Sequence, residues 1–257
     1  MSFFKKMLAS VGIGSAQIHT ELDADEVQLG GEISGTIYVE GRETDQTIGN
    51  IYLKLKTNYL RESNDRKIRA TGTIAKYLVA EGFPLQAGER KQLPFRFRLP
   101  EQMPVTLHNV PIWVESGLDI ELAVDPKDED LIQVVPDAKM QTVLDAVALL
   151  GFRLREVTND YAPRLGGTLP FVQEFEYVPG SKFRGYLDEL EILFFPRGEA
   201  LELVLQIDRR ARGLGGLFAE AMELDERFVR VPLSKEELQR GPQAVASLLE
   251  DVIARHL

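Results

Sequence analysis

Cysteine is missing altogether from these 257 residues, histidine occurs three times and tryptophan once. The first absence excludes disulfide frameworks, thiolate zinc sites and cysteine nucleophiles together, and it agrees with a reducing cytoplasm. His19, His108 and His256 sit far apart, none with a partner at metal-ligand spacing, so neither an imidazole zinc site nor a nucleophile triad can be assembled. There is no Gly-x-Ser-x-Gly elbow, no Gly-x-x-x-x-Gly-Lys phosphate loop and no Rossmann glycine fingerprint after a strand. No cofactor is expected, and the chain reads as a non-enzyme. Basic charge is also in deficit: 40 acidic against 30 basic residues leave a formal charge of -10. Such a chain repels phosphate backbones, so nucleic acid is not an expected partner.

What is present is the composition of a folded protein, 44% hydrophobic and 27% charged. The length allows one large or two ordinary domains, and two are expected. The opening MSFFKKMLASVGIG is a poor signal peptide, because Ser10 and Gly12 interrupt its apolar run. At helical spacing, Phe3, Phe4, Met7, Leu8 and Val11 share one face, which predicts a short amphipathic helix docked on its own domain. Membrane contact through residues 1–11 is the weaker alternative. From 15 to 136 the pattern alternates with period two and is punctuated by turns, as in QIHTELD, EISGTIYVEG, IYLKLK and PFRFRL. Short antiparallel strands without intervening helices predict a β-sandwich.

The period changes at VVPDAKMQTVLDAVALLG. Asp137 is placed as an N-cap, and Met140, Val143, Leu144, Val147 and Leu150 form a helical stripe ending before Gly151. This predicts a connecting helix near 138–150 and a boundary at 136/137, giving an N-terminal domain over 1–136 and a second over 137–257. Strand patterns resume at FRLREVT, FVQEFEYV, GYLDELEILFF and ALELVLQID. Ser234 and Glu237 stand in capping-box spacing, and Pro242 opens a final helix near 243–257. The fold class is therefore mainly β: an antiparallel β-sandwich followed by a second β-sandwich domain with flanking helices.

LGGEISGTIYVEG, PFRFRLPEQMPVTL and VPIWVESGLDIELAVDP together resemble the arrestin-type N-domain pattern. MSFFKKMLASVGIGSAQI and GLDIELAVDPKDEDLIQVVP resemble more closely the sporulation-control protein M family, and FVQEFEYVP and LVLQIDRRARGLGG are similar to its C-terminal region. The resemblance covers most of the chain. It implies an arrestin-like fold, a cytoplasmic location, no established catalytic activity and a regulatory role as an adaptor or scaffold in cell-state or developmental control. Its partners would be proteins, and sandwich edges suit that role and also permit self-association.

Three segments are candidates for function. In DIELAVDPKDED, residues 119–130, six carboxylates stand together with one lysine. The alternative function is a divalent-cation-dependent binding protein or enzyme using this segment, with Asp125, Asp128 and Asp130 as candidate ligands. The stretch lacks the glycine and the late glutamate of a calcium loop, however, and Asp125-Pro126-Lys127-Asp128 has type I turn composition. Asp128 and Glu129 then offer an acidic face to a partner. Arg209, Arg210 and Arg212 form a basic cluster for a phosphate, lipid head group or acidic partner, against the simpler reading of a solvated strand end. The apolar face of Phe3, Phe4 and Met7 is the third. Trp113 is expected to anchor the sandwich core.

Overall fold

The computed structural model describes residues 16–63, 66–118, 126–180, 182–208 and 228–257. Phe3, Phe4, Met7, Asp125, Arg209, Arg210 and Arg212 lie outside them. The chain divides into two compact units. The first comprises Met1–Thr57, Thr73–Pro100 and Pro111–Val134; the second comprises Asn58–Gly72, Glu101–Val110 and Val135–Leu257. The chain crosses near the Pro136 boundary read from the sequence, but 58–72 and 101–110 belong to the second unit. Strands β5 (Ile51–Ser63) and β6 (Arg66–Ala80) are simply longer than the unit in which they begin.

In the first unit β1 (Gln17–Leu22), β3 (Glu32–Glu40) and β8 (Arg90–Arg98) form one antiparallel sheet, with β3 in the middle. Alternation is its cause: Ile33, Ile37 and Val39 turn inward and are buried, while the intervening Ser34, Thr36 and Tyr38 stay partly wet. Gly35 stands in the same inward row because nothing larger fits there. A Cβ on it would lie 2.2 Å from the Glu21 carbonyl oxygen and 3.0 Å from the Phe95 ring. The second layer runs β5, β9 (Ile112–Gly117), β10 (Lys127–Val135) and β2 (Glu26–Gln28), with β6 on the other side of β5. Its buried row is Ile51, Leu53 and Leu55, then Ile112 and Val114, then Ile132 and Val134. The two short strands β4 (Gln46–Ile48) and β7 (Phe83–Leu85) pair with each other.

The second unit is built on an antiparallel meander of β11 (Arg153–Tyr161), β12 (Phe171–Val178), β13 (Glu189–Arg197), β14 (Ala200–Asp208) and β15 (Phe228–Leu233). Beside β11, the far end of β5 joins in parallel at Asp160↔Leu60. The second layer is helical. Helix α1 (Ala138–Leu149) starts where the Asp137 carboxylate accepts the Met140 N–H at 2.8 Å, and it buries Met140, Val143, Ala146 and Val147. Helix α2 (Lys235–Gln239) carries a complete capping box: Ser234 accepts the Glu237 N–H at 3.2 Å and Glu237 accepts the Ser234 N–H at 2.8 Å. Helix α3 (Pro242–Arg255) begins with proline, which has no N–H to leave unsatisfied, and packs on α1 through Val245, Leu249 and Ile253. Strand β13 is buried on both faces over Glu189–Leu193, so its sequence reads as a nearly continuous apolar run interrupted by acids rather than as an alternation.

Candidate functional site

Strand β9 reads Ile-Trp-Val-Glu-Ser-Gly. Ile112, Val114 and Ser116 face inward, which sends Trp113 and Glu115 to the outer surface of the first unit. The register sets their neighbours. Lys56 and Leu131 flank Trp113, and Lys54 and Glu129 flank Glu115. The Glu115 carboxylate accepts from Lys56 Nζ at 2.5 Å and from Lys54 Nζ at 3.1 Å, with Lys127 Nζ at 3.9 Å. Lysine stems cover it so well that Glu115 is only 3% exposed although it points away from the core. Burial by itself would raise its pKa, but the two lysine hydrogen bonds outweigh that and hold it below the ordinary carboxylate range.

Beside this ion cluster lies an apolar spot. Leu131 on β10 is 71% exposed, and its cross-strand neighbour Trp113 is half-buried with an indole N–H that meets no acceptor. Trp113 is therefore not the core anchor expected of it; the parity of β9, with Val114 inward, sets it on the outer face. A lone exposed leucine is ordinary. Here the exposed leucine is the cross-strand partner of a tryptophan, beside a fixed charge cluster.

The acidic segment faces the other way. Lys127 and Asp128 are strand residues, paired with Gly117 and Ser116, and do not form the turn their composition suggested. Pairing with β9 carries β10 two residues further than local turn chemistry would. Asp128 Oδ2 accepts the Thr20 N–H at 2.6 Å and lies 3.1 Å from His19 Nδ1, while Thr20 Oγ1 and Ser116 Oγ are 2.6 Å apart. Asp128 thus satisfies an edge donor of β1 through Oδ2, a structural task. Asp130 lies in the same inward row; burial and the Asp128 charge raise its pKa, with His19 opposing. Glu129 alone of the three is on the outer face. Among the described residues no group of three or more His, Asp or Glu side chains is placed to hold a metal ion. His108 is an exposed loop residue at φ 50°, and His256 bonds the Val252 carbonyl at the end of α3.

The second unit carries a further set of acids that sequence reading missed. Glu174, Glu176, Glu189, Glu191 and Gln206 share one face of β12, β13 and β14, with Asp160 of β11 in the same row. A β-bulge between Leu154 and Glu156 inserts Arg155 as the extra residue, and its guanidinium pairs with Glu176 and, at 2.7 Å, with Glu189. Burial raises the Asp160 pKa; burial together with Glu191 and Asp160 raises that of Glu174 well above the usual carboxylate range. The signal was present as acids spaced two apart in FVQEFEYV and LDELEILFF, where alternation makes them one face.

The class that the fold defines is that of mainly β proteins, here of two compact units. Comparison with known proteins gives the family. Residues 4–211 match the model of the SpoOM protein family, and the chain belongs to it. It is 40% identical over 257 residues to sporulation-control protein spo0M of Bacillus subtilis (strain 168), covering 100% of this chain and 99% of that one. The crystal structure of Spo0M from Bacillus subtilis superposes with a TM-score of 0.90 at 39% identity, over 95% of this chain and 100% of the other.

Proposed function

We propose that this chain is a noncatalytic regulator of cell state that acts by binding other proteins, through the outer face formed by β5, β9 and β10 of the first unit. The observation that carries the reading is Leu131, exposed beside Trp113 and the lysine-covered Glu115. Side chains there are held at fixed register positions on three strands, so a partner meets a preorganised surface and little side-chain freedom is lost on docking. Glu129 and Lys127 supply charged rim positions. Membership in the same family as a protein named for sporulation control supports a developmental process as the setting, in cytoplasm. No helix of the described residues is long and apolar enough to cross a membrane.

Leu131→Asp tests the surface. Because the side chain is already in water, the variant should melt within about 0.5 kcal/mol of the parent chain. In a host carrying it in place of the native gene, the developmental phenotype of a deletion is expected, and a photo-crosslinker at 131 should join the chain to a discrete partner that the aspartate variant loses. A stably folded Leu131→Asp chain that supports normal development would refute the surface.

A further inference from the structure

The ladder between β12 and β13 stops early. Its pairs run only from Glu174↔Leu193 to Tyr177↔Leu190, although β12 begins at Phe171 and β13 continues to Arg197. The strands diverge beyond, and a cavity of about 410 Å³ opens in the second unit between Phe171, Val172 and Gln173 on one side and Phe194 to Arg197 on the other.

Both lips are built. On one, the turn before β12 is tied by Ala162 N–H to Pro170 O, Gly166 N–H to Ala162 O and Leu169 N–H to Gly166 O, each 3.0 Å. Gly166 is required there, because a Cβ would lie 2.2 Å from the Leu169 carbonyl oxygen. This turn presents Arg164 and Leu165 to the cavity. On the other lip, the Gln173 amide accepts the Val105 N–H and donates to the Val105 carbonyl, both at 2.9 Å, so a side chain imitates strand pairing and holds Met103 and Pro104 in place.

The lining is mixed in chemistry. Met103, Leu165, Leu169, Phe171, Phe194 and Phe195 make an apolar floor. Arg164, Arg197 and Arg230 supply the positive charge, in a chain whose formal charge is -10. Arg197 donates to Glu202 from Nε at 3.1 Å and Nη2 at 2.8 Å, and Arg230 donates to the same carboxylate at 2.9 Å. One carboxylate serving two guanidiniums fixes both and leaves the group positive; Arg164 makes no ion pair among the described residues. The one acid in the lining, Glu101, is exposed and lies 3.9 Å from Lys139. The size is that of a small-molecule site, and the lining offers apolar and polar surface in similar measure; guanidiniums are the side chains best shaped for a carboxylate.

We propose that this cleft binds a small amphipathic monocarboxylate, its apolar body on the phenylalanine floor and its carboxylate on Arg164 with the Arg197–Arg230 pair. The proposal does not rest on the protein-contact reading of the first unit; it makes the second unit the part of the regulator that senses a metabolite-sized acid.

Calorimetric titration of the full chain with decanoate, held below its micellar concentration, tests it against decanol and decylamine. Decanoate is expected to bind one site, decanol at least about tenfold more weakly, and decylamine not at all. Arg164 lies on an exposed turn, so Arg164→Gln should fold normally; it should weaken decanoate about tenfold and leave decanol unchanged. Leu165→Trp should fill the floor and remove both. Absence of saturable decanoate binding would overturn the proposal, as would equal binding of decanol, or unchanged decanoate affinity in both Arg164→Gln and Arg230→Gln. Saturation by a capped Asp-Phe-Asp peptide but not by decanoate would also overturn it, making the cleft a peptide site.

Discussion

Asp128 shows how a residue's role depends on the direction of its side chain. In sequence it is one of six crowded carboxylates; in the fold it is the acceptor for the Thr20 N–H within β1. Asp128→Ala leaves that N–H without its partner and should cost about 1–3 kcal/mol, with Asp128→Asn costing less because an acceptor oxygen remains; urea denaturation of the three chains measures it. The two kinds of carboxyl perturbation act in opposite directions with pH. Glu174 and Asp160 have raised values when folded, so they bind their protons more tightly in the folded state. Their contribution to stability grows as pH falls from neutral through those values, and stops growing near the unfolded carboxyl range at about 4. Glu115 and Glu202 are depressed by their lysine and arginine partners, so they stabilise above about 4 and that stability is lost as pH falls through their folded values. Thermal melts from pH 7 downward should rise, pass a maximum in mild acid and then fall, and Glu174→Gln should flatten the rise while raising stability at neutral pH.

At the scale of elements, alternation and capping were legible because they are local. The stripe Met140, Val143, Val147 and the Asp137 cap specify α1, and Ser234 with Glu237 specifies α2, each within one or two turns of chain. The rows Ile33, Ile37, Val39 and Leu53, Leu55 were equally plain. Register was not legible, and register is what places Leu131 against Trp113, lets Lys54 and Lys56 converge on Glu115, and ends the β12–β13 ladder where the cleft begins. Gly35 sits at the meeting of the two kinds of information: its place in an inward row is readable, but its need to be glycine comes from β1 and β8. Gly35→Ala forces the chain apart at the Glu21 carbonyl, and a loss of at least about 2 kcal/mol is expected, measurable as a lowered melting temperature with an unchanged m-value in urea.

Across the whole molecule, the second unit is assembled from three stretches of chain. Within it Tyr59 stacks on Phe171 at 5.2 Å, Asn159 donates to the Asn58 carbonyl at 2.9 Å, and Gln173 clasps Val105. A fragment of residues 135–257 keeps every strand of the meander and the three described helices but lacks these partners, and it loses one lip of the cleft. It is expected to show strand and helix in far-ultraviolet circular dichroism, without a cooperative melt or dispersed amide resonances, whereas the full chain melts cooperatively. A sharply melting fragment would mean that 58–72 and 101–110 are accessories.

What the sequence determined by itself was therefore what rests on neighbours along the chain: a mainly β protein with two described helices of any length, no thiol chemistry, a family membership carried by motifs, and the inward faces of most strands. What only the tertiary structure decided was which of those faces meet. Asp128 and Asp130 of the acidic run came to lie in an inward row, Asp128 as an edge cap, Trp113 moved from the expected core to an outer face, and the arginines at 164, 197 and 230, separated by dozens of residues, came to surround one cavity. The physical reason is range. Periodicity and capping act over a few residues, while strand pairing joins positions a hundred apart, and a shift of one residue in that pairing exchanges the buried face for the wet one.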